Sequence, residues 1–358
     1  MIKVLFDSSI FLHQKVGGVS KYITQLNENL PKFKISSKIL SPITINDYLD
    51  NKKKNINYFL KFAKIPRFCR KIFFFINNLS TFVYIKFYKP DILHFSYYNK
   101  SLIKFLNIPY VLTVYDLIHE QMKLNQKQFE KKALLKNARH IICISKETKK
   151  NLMKIYKVNK EKISVIYLGT QNTKYKKFKK KNRYILFVGN RTRYKNFNNL
   201  IKAFSESKYL IKNYKIICYG GGEFLKNEFL NFKNLNILKN IKYEKGNDEK
   251  LLKYYKRASL YVSLSNYEGF GLTLLEAMKM KCPVVCSDIP VFHEVYGNSC
   301  KYVNAKNIDS IRKGIESILK SKLEQKRLIS RTNLILKQYT WSNCALKTSK
   351  IYKKILSQ

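Results

Sequence analysis

Short runs of β-branched and aromatic residues, apolar on both faces, alternate with helical patterns along the whole chain. The candidate strands are 2–6 (IKVLF), 91–95 (DILHF), 110–114 (YVLTV), 140–144 (HIICI) and 163–167 (ISVIY), then 184–188 (YILFV), 215–219 (KIICY), 235–238 (LNIL), 260–264 (LYVSL) and 283–286 (PVVC). A strand that is apolar on both faces has to be covered on both, which is what the helices flanking a parallel sheet do. Helical patterns fall between the runs, at 19–30, 126–138, 145–156, 195–208, 247–257 and 271–280. This alternation predicts an α/β architecture built on parallel sheets.

Residues 169–183 (GTQNTKYKKFKKKNR) break the pattern with a polar, Lys-rich stretch poor in apolar anchors. It is expected to link an N-terminal domain over 1–170 to a C-terminal domain over 183–338. Residues 340–356 (TWSNCALKTSKIYKKIL) close the chain as an amphipathic helix. The segment 339–358 is expected to pack back toward the N-terminal domain. With 358 residues in all, each half is long enough to bury its own core. Two doubly wound domains facing each other would set a ligand cleft outside the carboxyl ends of their strands.

The charge balance is the outlier. There are 70 Lys and Arg against 23 Asp and Glu, a formal +47. Such a field favours anionic partners: nucleic acid, acidic lipid headgroups or phosphorylated substrates. Compositional drift toward Asn, Ile, Tyr and Phe, as an A+T-rich genome produces, is the competing origin, and both readings stand together. The basic residues are spread along the whole chain, and no zinc, RRM-like or helix-turn-helix pattern occurs, so nucleic acid is not the expected partner.

Seven cysteines, none in a C-x-x-C pair, suit a reducing cytoplasm better than a disulfide framework. The N-terminal MIKVLFDSSIF is too short and too early acidic for a signal peptide. No apolar run approaches the ~20 residues of a membrane span. The expected location is therefore cytoplasmic, free or on the inner face of the cytoplasmic membrane. Residues 67–88 bear on that choice. Phe68, Ile72, Phe75, Leu79 and Phe82 recur there at three- and four-residue steps, flanked by Arg67, Arg70, Lys71 and Lys86. This is a helix with one strongly apolar face, either packed on the N-terminal sheet or lying on anionic lipid.

Four segments carry residues that chemistry could use. Glu268-Gly-Phe-Gly-Leu-Thr-Leu-Leu-Glu276 follows the run LYVSL through a short loop. Gly269 and Gly271 permit close backbone approach. A helix starting near Leu272 would aim its free N–H groups at an anion or a sugar hydroxyl. Glu276, in the second turn, could accept two hydrogen bonds from a cis-diol such as a ribose. The plainer alternative is a surface glutamate favoured by the helix dipole.

Phe187-Val-Gly-Asn-Arg-Thr-Arg-Tyr-Lys-Asn196 places Arg191, Arg193 and Lys195 after the run 184–188, where cations can clamp a diphosphate. Lys15-Val-Gly-Gly-Val-Ser-Lys-Tyr22 opens a helix after the first run. Its paired Gly17 and Gly18 either let backbone approach a phosphate or simply form a tight turn. Thr113-Val-Tyr-Asp-Leu-Ile-His-Glu120 ends the run 110–114 and offers Asp116.

The Glu-x7-Glu pattern with its internal GFG is followed by Cys282-Pro-Val-Val-Cys-Ser-Asp-Ile-Pro290 and His293-Glu-Val-Tyr-Gly297. Together they resemble the donor-site signature of glycosyltransferase family 4, retaining enzymes of GT-B fold. The G-N-R-x-x-Y-K-N spacing and the pattern Asp7, Phe11, Gly17, Gly18, Ser20, Tyr22 resemble a sub-group of bacterial O-antigen and capsule mannosyltransferases. The landmarks run in order from about residue 1 to residue 356.

The resemblance implies two Rossmann-like domains around a central cleft. It implies transfer of a hexose from a nucleoside diphosphate sugar, GDP-mannose or a UDP-hexose, to a glycan or lipid-linked glycan hydroxyl, with anomeric retention. Glu276 would hold the ribose and Glu268 the donor sugar. Phe270 and Gly271 would meet sugar and diphosphate through their backbone. Arg191 and Lys195 would hold the diphosphate, with Arg193 a rival for the arginine role. Gly17 and Gly18 would lie against diphosphate and acceptor, and the Gly-rich turn at 220–223 near the base. Asp116 would orient neighbouring groups or an acceptor hydroxyl, although Tyr115 stands where relatives commonly carry His. The donor is the only small molecule implied. No D-x-D triplet occurs, so no metal is expected.

Overall fold

The structure, a computed structural model, describes residues 1–49, 55–66, 68–122, 128–170, 181–191 and 193–357. Arg67 and most of the expected linker, 171–180, lie outside the described residues. The chain divides into two compact units, Met1–Gly169 with Thr340–Gln358, and Thr170–Tyr339.

The first unit contains β1 (Ile2–Phe6), β2 (Ile35–Leu40), β3 (Ile43–Thr44), β4 (Ile56–Asn57), β5 (Leu60–Lys61), β6 (Ile92–Phe95), β7 (Tyr110–Val114), β8 (His140–Cys143) and β9 (Ile163–Val165). A parallel sheet runs in the order β4-β2-β1-β6-β7-β8-β9, and β3 pairs with β5 apart from it. Every residue of β6, β7 and β8 is buried, as runs apolar on both faces require. The strand β2 was not legible as one. Its sequence ISSKIL alternates, with Ser36 and Lys38 only half-buried.

The Trp341–Leu356 helix belongs to this first unit and packs on the Gly18–Asn29 helix, burying Trp341, Ala345, Thr348 and Tyr352. Gly169 meets it closely. A Cβ there would fall 2.2 Å from the Thr340 carbonyl carbon and the Trp341 nitrogen.

The second unit contains β10 (Asn182–Val188), β11 (Lys215–Tyr219), β12 (Ile241–Glu244), β13 (Ala258–Ser263), β14 (Val284–Ser287) and β15 (Lys301–Val303). They form a parallel sheet in the order β12-β11-β10-β13-β14-β15, the doubly wound order with its reversal between β10 and β13. One expected strand, 235–238, is absent. Leu235 instead ends the Lys226–Asn234 helix, and Asn236 sits in the left-handed region at φ +55°. Asn tolerates that conformation and a strand does not. Ile237 still reaches the core, which is why the segment reads as apolar. The strand that follows is the half-exposed IKYE of β12. The helical pattern over 195–208 resolves into a short turn at Arg193–Lys195 and the Phe197–Ser205 helix, with Lys208–Asn213 a separate helix.

Candidate active site

The reversal of strand order in the second unit opens a crevice between the carboxyl ends of β10 and β13. The loop after β10 delivers Lys195, and the loop after β13 delivers Glu268. Their side chains meet at 2.5 Å between Lys195 Nζ and Glu268 Oε1, and they are 19% and 14% exposed. Backbone holds the two loops together, the Asn266 amide donating to the Tyr194 carbonyl at 2.8 Å. Asn196, left-handed at φ +56°, then turns the chain into the Phe197–Ser205 helix and donates through Nδ2 to the Ala305 carbonyl at 2.5 Å. Burial alone would lower the Lys195 pKa. The Glu268 carboxylate outweighs it and holds the ammonium above the ordinary lysine range. The site therefore presents a fixed cation beside a fixed anion.

Gly271 ends the GFG turn and caps the Leu272–Lys279 helix at φ +89°. Glycine alone suits this position, because a Cβ would also fall 2.7 Å from the Phe292 ring. The fully buried Tyr296 pins the turn. Its hydroxyl donates to the Gly271 carbonyl at 2.6 Å and to the Phe270 carbonyl at 3.2 Å. Phe270 is itself buried, edge-on to Tyr296 and Tyr339.

Within the same helix, Thr273 accepts from the Tyr261 hydroxyl at 2.8 Å, and half-buried Glu276 follows one turn later. Tyr255 lies fully buried beside Glu276. Burial, with the carboxylate adding to it, holds this phenol well above its ordinary range. Tyr255, Tyr261 and Tyr296 support the site, and sequence inspection missed all three. Tyr261 stands in the apolar run LYVSL, where a tyrosine reads as core, and Tyr255 and Tyr296 stand on helices with polar residues close by, where nothing marks them.

Arg191 stands apart from this arrangement. Its Nε donates to Glu228 Oε1 at 2.6 Å, and its Nη2 to the carbonyls of Glu223 at 2.8 Å and Gly222 at 3.1 Å. The guanidinium also packs over the Phe224 ring, 4.8 Å from its centroid. Most of its donors thus hold the Gly-rich turn, with Nη1 reaching the Gly220 carbonyl only at 3.5 Å. That turn needs support, since Gly220, Gly221 and Gly222 all have positive φ. A Cβ on Gly221 would fall 2.3 Å from the Gly189 carbonyl oxygen.

The remaining candidates belong to the first unit. Gly17, with extended backbone, caps the Gly18–Asn29 helix. A Cβ on Gly17 would strike the Gln14 side chain at 2.4 Å. The same Gln14 Oε1 accepts from the Ser20 amide at 3.2 Å, while Gly18 is exposed. Asp116 follows β7, and its Oδ1 accepts from the Ile118 amide at 3.1 Å. Its carbonyl lies 3.3 Å from Lys131 Nζ, which pairs with Glu120 at 2.7 Å in a nearly fully buried ion pair. Tyr115 is buried, donating to the Ser96 carbonyl at 2.9 Å.

Two doubly wound sheets, with a lysine–glutamate pair and a glycine-rich helix start at the strand reversal of the second, define the class as GT-B. A sucrose-phosphate synthase from Thermosynechococcus elongatus has the same fold, with a TM-score of 0.81 at 18% identity over 99% of both chains. So does Anabaena HepE, solved with UDP and glucose, with a TM-score of 0.75 at 14% identity over 99% of this chain and 100% of that one. Residues 16–172 match the description Glycosyltransferase Family 4, and residues 169–334 match Glycosyl transferases group 1. The O-antigen chain mannosyltransferase RfbU of Salmonella typhimurium is 32% identical over 222 residues, a match that spans 60% of this chain and 60% of RfbU. The two matches together run from residue 16 to residue 334, and the chain belongs to glycosyltransferase family 4.

Proposed function

We propose that this chain transfers a hexose, with mannose the first candidate, from a nucleoside diphosphate sugar to a hydroxyl of a glycan or lipid-linked glycan. The observation that carries the reading is the Lys195–Glu268 pair set beside the GFG turn, with Glu276 on the helix that the turn opens. Lys195 neutralises charge that grows on the leaving diphosphate, and the free amides at the start of the Leu272–Lys279 helix assist it. Glu268 accepts hydrogen bonds from donor-sugar hydroxyls. Glu276 accepts from the ribose diol, with Tyr255 behind it. Arg191 acts at one remove by shaping the Gly220–Glu223 turn near the base.

The acceptor oxygen bonds to the anomeric carbon on the face from which the diphosphate leaves, so the configuration is retained. The acceptor proton passes to the leaving phosphate oxygen. Gly17, Gly18 and Asp116 are assigned to the acceptor side. No metal ion is assigned a part. The name of RfbU points to a mannosyl donor, which the family resemblance makes GDP-mannose, as the first to try, and HepE's UDP makes UDP-hexoses the second.

The experiment is a melting-temperature screen with GDP-mannose, UDP-hexoses and short oligonucleotides. The hits are then assayed for transfer with and without EDTA, and the anomeric form of the product is read by NMR. A shift with one nucleotide sugar and transfer that survives EDTA are expected. Stabilisation by oligonucleotides alone would overturn the reading.

A further inference from the structure

The Arg70–Tyr88 helix is built inside out. Its fully buried side chains are the polar Asn77 and Thr81. Asn77 fastens the helix to β3, accepting from the Ile43 amide and donating to the Ile43 carbonyl, both at 2.9 Å. The opposite face is apolar and open. Phe68 is 81% exposed, Ile72 58%, Phe75 67%, Leu79 51%, Val83 44% and Phe87 83%. A helix on a globular domain normally turns such a stripe inward, and a contiguous exposed stripe marks an interaction surface. Of the two readings left open by the sequence, packing on the N-terminal sheet fails for these side chains. The stripe extends beyond the helix as well. Phe59, from the segment leading into β5, shares a groove of about 330 Å³ with Leu79, Val83 and Phe87.

Charge identifies the occupant. Residues 51–90 contain ten Lys and Arg and no Asp or Glu. Of these, Lys64, Arg70, Lys71, Lys86 and Lys89 are exposed around the stripe. A second copy of this chain would bring the same positive field against itself, and an apolar protein partner would have no need of it. We infer that this face docks on a bilayer rich in anionic headgroups, with the Phe and Leu side chains entering the acyl boundary and the basic rim pairing with headgroups. The surface is independent of the donor site, so the inference does not rest on the proposed reaction.

The test is co-sedimentation of the full chain with vesicles of phosphatidylcholine alone and with about 30% phosphatidylglycerol added, a content that gives the anionic surface potential basic residues sense. Binding to the acidic vesicles, little binding to neutral ones, and release at about 0.5 M salt are expected, because screening shortens the field. Phe75→Ser with Leu79→Ser should weaken binding about tenfold or more while melting temperature and nucleotide-sugar affinity stay unchanged. Lys71→Glu with Lys86→Glu should do the same through charge. Failure of the wild type to bind acidic vesicles would overturn the inference. So would apolar and charge variants that bind like wild type. So too would a dimer in sedimentation velocity that these substitutions dissociate, because a second copy would then cover the stripe.

Discussion

The two sheets share one kind of strand order, yet the crevice at each reversal is filled in the opposite way. In the first unit, Asp7 follows β1 and Ser96 follows β6. The Asp7 carboxylate accepts from the Ser96 amide at 2.5 Å, the Ser9 amide at 3.2 Å and the Ser9 hydroxyl. Asn99 donates to that same Ser9 hydroxyl at 3.0 Å, and Asp7, Ser9 and Ser96 are fully buried. Burial raises the Asp7 pKa above the carboxylate range, although these hydrogen bonds oppose it. In the second unit the equivalent place holds Lys195 and Glu268, paired and partly open to solvent. Strand order thus fixes where a site can form. The side chains at the strand ends decide whether the place is closed by buried hydrogen bonds or left with an ion pair that reaches solvent.

The largest contrast should come from the two lysine- and aspartate-filled crevices. Lys195→Ala is expected to lower turnover about a hundred- to a thousandfold, the scale of removing one group that stabilises transition-state charge. Melting temperature should fall as well, since Glu268 is left mostly buried without its partner, so turnover is compared in the molecules that remain folded. Steady-state kinetics beside a thermal melt would show it, and a large loss of stability with normal turnover would invert the comparison. Asp7→Ala should act on stability alone. It orphans three buried donors and should cost about 3 kcal/mol in denaturant unfolding, with donor affinity retained in the molecules that fold.

Arg191→Ala divides the second unit against itself. Its guanidinium is 5% exposed and paired with Glu228. Loss of that pair and of the turn it holds is expected to cost about 2–3 kcal/mol of stability. The effect on the reaction should fall on KM for the donor more than on kcat. A pure kcat defect would point to the diphosphate role for Arg191. Glu276→Gln should weaken nucleotide binding by about 1.5–3 kcal/mol, the worth of a charged hydrogen bond. Unchanged affinity by calorimetry would leave Glu276 as a helix-surface residue.

The smallest effect concerns acid and lies in the first unit. Burial lowers the His94 pKa to about 3, with Thr113 at 2.8 Å and Tyr352 at 2.5 Å from its two ring nitrogens. A histidine that stays neutral when folded binds fewer protons than its unfolded form, so its contribution is present above the unfolded pKa of about 6.5 and is lost as pH falls below it. Up to about 1 kcal/mol should vanish between pH 6.5 and 5.5. His140, lowered to about 4 mainly by burial, adds in the same direction. Unfolding curves of His94→Asn should show a shallower acid slope than wild type. An identical slope would place the acid sensitivity elsewhere.

Much of this was legible because the apolar runs are long enough to name the central strands. Edges were not. The polar alternation of β2 and β12 hid two strands, and the buried Ile237 suggested one that Asn236 forbids. Among the site residues, Glu268, Glu276 and Lys195 were visible as motif positions. The commitment of Arg191 to Glu228 was not visible, because nothing in a linear spacing shows which of several acceptors a long side chain will reach.

The sequence by itself determined the parallel α/β class, the GFG turn and the helix it opens, since hydrophobic period and glycine chemistry act over a few residues. Tertiary structure alone decided three things. It paired Lys195 with Glu268 across 73 positions, set the C-terminal helix, expected against the N-terminal domain, on the Gly18–Asn29 helix in particular, and turned the aromatic stripe of the Arg70–Tyr88 helix outward. Each depends on what lies opposite a side chain after the chain has folded back on itself. Only the strand order and the polar anchor at Asn77 supply that.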